Sequence, residues 1–355
     1  MKRICLFALI ALCVSLAGSA LLAQARGGTP QTDKVQPVNS GANPYRVIRD
    51  WAHIDGRAWG GSNGVAIDRD GKTVWAVDRC SPGTTPGCAS TNVNPVHHFD
   101  ESGKEIKSFG GGMFAWPHGI HVDRDGNVWV ADARADQPTG KGSVVVKFSP
   151  EGRVLMTLGK AGVKGNPPEA LTEPTDVVTD PGNGDVYIAE SHTDVTDPNL
   201  VGRISVFDKN GKFLRTIGRT GTGPAEFRTP HALEFDSRGR LIVADRHNHR
   251  IQILTKDGKF IAEYDEFGRT SGLAIDGNDV IYTADSESSE RTHPGWLRGI
   301  RIGSLKDGKV TIFIPPHAAP NSTEGAMGEG IAIDAAGNIY TAEAQLRGIT
   351  KYVRN

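Results

Sequence analysis

Short apolar runs alternate with polar, glycine-centred turns along almost the whole chain, and one such pattern recurs six times. Each copy is an apolar segment ending in Asp, a turn built round Gly, and a second apolar segment ending in an acid, usually as Ala-Asp or Ala-Glu. The copies run Gly64–Asp78, Gly119–Asp132, Asp176–Glu190, Ala232–Asp245, Gly272–Asp285 and Gly330–Glu343. Segments of this length, rich in Val, Ile and aromatic residues and bounded by turn residues, predict β-strands. Just before the copies stand Asn63, His118, Thr175, His231, Ser271 and Glu329, spaced by 55, 57, 56, 40 and 58 residues. That spacing leaves room for four short strands per unit, and third and fourth strands follow, as SVVVKFSP and RVLMTLGK do after the second copy. A repeated four-stranded unit predicts an all-β, six-bladed propeller. The last copy is followed by one more strand only, GITKYVRN, while Tyr45–Trp51 (YRVIRDW) stands alone before the first. That N-terminal strand is expected to complete blade six and close the ring, which removes an exposed sheet edge.

Composition adds boundaries to this picture. The chain has 355 residues, 44 glycines and 20 prolines, as a protein of many tight turns requires, and its net charge is −1. Nothing in that balance points to nucleic acid or an anionic membrane as partner, and a monomer is expected. Lys2 and Arg3 precede an apolar run from Ile4 to Leu22, and Ala23-Gln24-Ala25 supplies the small residues that a signal peptidase needs. Residues 1–25 therefore read as a signal peptide, with an uncleaved membrane anchor as the alternative because the apolar run is nearly long enough to span, 26–42 as a flexible lead-in, and 43–355 as the propeller of an exported, periplasmic or secreted protein. Cys5 and Cys13 leave with the signal. Cys80 and Cys88 remain, bracketing a Pro/Gly-rich loop after the second strand of blade one, and in an oxidising compartment they are expected to form a disulfide.

The first strand of each blade lines the central channel, so equivalent positions before those strands form a ring at one mouth. His118, His231 and Glu329 occupy that position in alternate blades, which brings them toward the axis from three sides as a three-ligand metal site with an open position. The plainer alternative is that Pro117-His118 and Pro230-His231 are turn residues with locally bonded imidazoles. His97, His98, His247 and His249 lie off the ring and read as surface or loop residues. A second ring follows the acids that end the second strands and contains Arg79 and Arg246, with Arg134 and His192 one residue further on. A guanidinium beside a metal suits a substrate carboxylate through paired hydrogen bonds; it could equally form a salt bridge to the adjacent Asp78 or Asp245.

The blade pattern resembles NHL repeats, and WPHGI (116–120), EPTDV (173–177), TPHAL (229–233) and VADRHNHRIQ (243–252) resemble the peptidyl-hydroxyglycine amidating lyases. That resemblance implies a six-bladed propeller in which His118 and His231 hold zinc, and Arg79 and Arg246 are active-site arginines. Met327 falls where the family has a substrate-side methionine. The implied reaction breaks a C–N bond of an α-hydroxyglycine to release glyoxylate and an amide. The sequence departs from the family at three positions. Glu329 replaces the third histidine, which keeps zinc possible and makes manganese or iron alternatives. Gly330 replaces an aspartate that binds a structural calcium, leaving only backbone carbonyls at Val65 and Ile120. Glu190-Ser191-His192 stands where the family has a tyrosine, so His192 becomes the candidate base. The expected function is a metal-dependent lyase on a small-molecule or peptide substrate carrying a carboxylate. A lactonase-like hydrolase and a non-catalytic NHL binding scaffold are the alternatives.

Overall fold

The computed structural model describes residues 34–81, 87–192, 196–317, 328–344 and 348–355; the expected signal segment and Met327 lie outside them. Six four-stranded antiparallel sheets form the blades of an all-β propeller. Blades one to five are each continuous in sequence, with inner strands Val65–Ile67, Pro117–Val122, Pro174–Thr179, Pro230–Phe235 and Gly272–Ile275. Blade six takes three strands from the C-terminal end and its outermost strand, Tyr45–Ile48, from the N-terminal side, pairing Tyr45 with Arg354 and Ile48 with Lys351. The closing strand is three residues shorter than the expected 45–51. Asp50 takes a left-handed φ of 51°, which ends the extended backbone. Trp51 then sits between blades six and one, edge-on to Tyr340 and Phe99.

The second strand of every blade is buried along its length, apart from the partly buried Val280 that opens that of blade five, and the cores lie between adjacent sheets. Ala189 and Ile204 of blade three, for example, pack with Leu233 and Val243 of blade four. Close approach of the inner strands explains the glycines that open the copies. A Cβ on Gly64 would lie 2.4 Å from the His118 carbonyl, and one on Gly330 the same distance from that of Asn63. Part of the lead-in is tied down. Ala42 bridges to Ile312, and the buried Arg301 donates to Val38 O and Asn39 Oδ1, so this segment packs on blade five from Val38 onward.

Candidate metal and anion site at the channel mouth

The carboxylates that end the second strands build the rim. Asp132 accepts the backbone N–H groups of Ala115 and Trp116, Glu190 that of Thr172 and Asp245 that of Arg228. Each carboxylate thus fixes the loop that leads into the inner strand of its own blade. Burial pushes the Asp132 carboxyl up to about 7 against those two donors. Where the inner strands of blades two, three and four start, the ladder is interrupted between Pro117 and Ile120, Pro174 and Asp176, and Pro230 and Ala232. A bulge leaves one residue out of the pairing and re-aims its side chain, and the residues so placed include His118, Thr175 and His231. The repeated proline marks the bulge because it has no N–H to give to the ladder.

Asn63, His118, Thr175, His231, Ser271 and Glu329 all line one central cavity of about 260 Å³, so the ring read from the repeat register exists. His118, His192, His231 and Glu329 offer donor atoms within 4.8 Å of one another. His118 Nδ1 lies 2.6 Å from Thr175 O, and His231 Nδ1 lies 2.7 Å from Ser271 O. A carbonyl only accepts, so both Nδ1 atoms carry the proton and both Nε2 lone pairs face the cluster. This is the outer-shell arrangement of metal-ligating histidines, supplied here by the neighbouring blade. His231 Nε2 and both ring nitrogens of His192 are buried with no hydrogen-bond partner among the described residues. Burial first, then nearby cations, holds all three imidazoles well below their ordinary pKa and keeps them neutral. Glu329 Oε2 accepts from Asn63 Nδ2 and lies 3.7 Å from both His118 Nε2 and Arg79 Nη2. Neutral nitrogen donors with orphaned lone pairs and one carboxylate fit a divalent transition metal.

The structure decides how the arginines pair. Asp78 is taken by Arg57, Asp245 by Arg250 at 3.0 Å and Asp285 by Arg301 at 3.3 Å. Arg79 and Arg246 therefore do not pair with their sequence neighbours and face the cluster. Arg79 stacks 3.6 Å above Trp116, and Arg134 lies 4.1 Å from the centre of the same ring. Burial lowers the Arg79 guanidinium to about 9. Arg246 Nη1 is 3.5 Å from Glu287, whose other oxygen is 2.8 Å from Arg269. Trp116, Asn63, Arg269 and Glu287 were not singled out by sequence reasoning. The register contained part of the signal, since Glu287 stands two residues after Asp285, as His192 does after Glu190 and Arg134 after Asp132.

Three readings change. His97 and His98 are buried strand residues, not surface ones: His97 bonds Glu105 at 2.9 Å, and His98 stacks on Trp75 at 4.0 Å. His249 is a turn residue, as expected, and is buried. His192, read as a base outside the ligand set, lies within its reach. Val65 and Ile120 line the cavity, yet the acid at their level of the inner strands is Asp176, occupied by the N–H groups of Val177 and Leu233 at 2.9 Å each.

A model of the NHL repeat matches residues 227–254, within blade four, and a model described as a 6-bladed beta-propeller matches 184–238. The chain is an NHL-repeat propeller. It is 30% identical over 319 residues to peptidyl-glycine alpha-amidating monooxygenase B of Xenopus laevis, covering 84% of this chain and 34% of that protein. It thus spans about a third of that relative's length. It is also 30% identical over 253 residues to peptidyl-alpha-hydroxyglycine alpha-amidating lyase 2 of Drosophila melanogaster, covering 66% and 56% of the two chains. With human NHL repeat-containing protein 3 it shares 27% identity over 78% of each chain. A solved gluconolactonase from Xanthomonas campestris shares the fold, with a TM-score of 0.58, 13% identity and coverage of 92% and 97%. The propeller is thus related to the amidating lyase domains and carries a buried His/Glu cluster on its axis.

Proposed function

We propose that this propeller is an exported, metal-dependent lyase that cleaves the C–N bond of an α-hydroxyglycine-type substrate, giving glyoxylate and an amide. The observation that carries the reading is the convergence of His118, His192, His231 and Glu329 within 4.8 Å, beside buried arginines. Similarity to proteins named alpha-amidating lyases supports it. His118, His231 and Glu329 hold the metal, and zinc is the first choice for two imidazoles and a carboxylate, with manganese or iron as alternatives. When bound, such an ion acts as a Lewis acid on the substrate hydroxyl.

The residues divide the remaining work. Arg79 and Arg246 bind and orient the carboxylated substrate through paired N–H groups. His192 has no outer-shell partner among the described residues, unlike His118 and His231, and so acts as the proton acceptor. The hydroxyl proton leaves to His192, the C–O bond becomes C=O, and the C–N bond breaks with its electron pair on nitrogen. Nitrogen then takes a proton, releasing the amide. Trp116 and the packed ring exclude water from the arginine side. The signal segment and the Cys80–Cys88 disulfide support export to an oxidising compartment.

The test combines metal analysis with an assay for glyoxylate release from N-acyl hydroxyglycines, on the purified protein and a His118→Ala/His231→Ala double variant. About one metal per chain and glyoxylate formation, both lost in the variant, are expected. Metal without glyoxylate but with lactone opening would favour a hydrolase, the reading to which the carboxylate ligand Glu329 lends weight. Absence of metal after reloading would leave a binding scaffold.

A further inference from the structure

The mouth of the channel gathers buried arginines from several blades. Arg79, Arg134, Arg246 and Arg269 converge there, with Lys164 at the rim. Among the carboxylates beside them, Glu173 is held by Lys164 at 2.5 Å, Glu287 by Arg269, and Glu329 lies 3.7 Å from Arg79. The aspartates that could neutralise the arginines are already engaged, Asp78 by Arg57, Asp245 by Arg250 and Asp285 by Arg301.

The orphaned donors say where an anion belongs. Arg79 Nε and Nη2, and Arg246 Nε and Nη1, are buried and make no hydrogen bond within the described residues. Their ion pairs, at 3.7 Å and 3.5 Å, are too long to be hydrogen bonds. Buried, unbonded guanidinium N–H groups are costly, and anionic oxygens are their natural partners. The two arginines come from blades one and four, which face each other across a six-bladed ring, and each flanks a different part of the imidazole cluster. Arg79 sits with Trp116 and Arg134, whereas Arg246 sits with Glu287, Arg269 and His247.

We infer that the site takes a small dicarboxylate, one carboxylate on Arg79 and the second on Arg246, with the reacting carbon held between them at the metal cluster. This deepens the reading of the site given above and rests on it for the position of the chemistry. In terms of the proposed reaction, the substrate is an N-acyl hydroxyglycine whose acyl end bears a second carboxylate.

The test measures binding by calorimetry to the purified full-length protein, whose metal content is determined in parallel. Malonate, succinate and glutarate are compared with the monocarboxylates of equal carbon number. At least one dicarboxylate is expected to bind tenfold or more tightly than its monocarboxylate, with the preference lost in both Arg79→Gln and Arg246→Gln and partly kept in Arg246→Lys. Thermal melts identify any variant that has not folded, and in that case the lysine variants at both positions decide. No dicarboxylate preference in the wild-type protein, or a preference that survives Arg246→Gln, overturns the inference. Absence of metal with the preference intact would instead overturn the metal-dependent reading and leave the anion sites standing.

Discussion

At the scale of the residue, the question is which imidazoles hold and which one reacts. His118 and His231 are oriented by carbonyls of the next blade, and removing either ring leaves the remaining donors without a complete set. His231→Ala should therefore lose the metal, read by elemental analysis of the purified protein. His192 lies on the loop after its strand and has no such support among the described residues. His192→Gln is expected to retain the metal while lowering kcat by roughly 10²–10⁴, the usual contribution of a general base; loss of metal in this variant would make His192 a ligand instead. The first two histidines and Glu329 were legible because repeat register converts sequence position into position around the axis. Membership of His192 was not, because loop geometry decides how far it reaches toward the cluster. Nor could the sequence distinguish Arg79-to-channel from Arg79-to-Asp78. The true partner of Asp78 is Arg57, which no spacing rule connects to it.

At the scale of the element, the strands were legible from period-two alternation and Gly-centred turns, whereas the bulges that aim the ring residues had only prolines as a trace. The loop after Val77 shows how one cross-link acts on the site. Arg79 is followed directly by Cys80, whose φ of 63° is left-handed, and the Cys80–Cys88 bond spans a sequence separation of 8. Closing so short a loop restricts the unfolded chain by roughly 2–3 kcal/mol in the loop-entropy account. The Cys80→Ser/Cys88→Ser variant should lose that stability in urea titrations under oxidising conditions. Its KM should also rise, since the backbone that presents Arg79 loses a restraint. A variant as stable as wild type, or one whose KM is unchanged, would show that Asp78, which accepts from Gly60 N and Cys80 N, holds the turn without help.

At the scale of the whole molecule, ring closure and channel burial set the stability. The inner strands turn Asp176 and Glu234 into the channel wall, and burial pushes both carboxyls up to about 7. The folded state therefore binds these protons more tightly than the unfolded chain. The stability that Glu234 contributes is complete below its unfolded pKa, near 4.5, and is lost as pH rises through about 7. Histidines withdrawn wholly or partly from water act in the opposite sense. His121 is lowered to about 4 and His293 to about 3, so the unfolded chain takes up their protons first and stability rises between about 4 and the ordinary histidine value. The two slopes oppose each other across the same window, and the wild-type profile cannot separate them. Glu234→Gln can, because the amide keeps an oxygen to accept the Phe235 N–H but has no proton to lose. Relative to wild type, this variant should gain stability as pH rises from 4.5 to 8, by up to about 3 kcal/mol, in parallel urea titrations at each pH. A difference that stays constant across that range would mean that Glu234 ionises at its ordinary value and that water reaches this part of the channel.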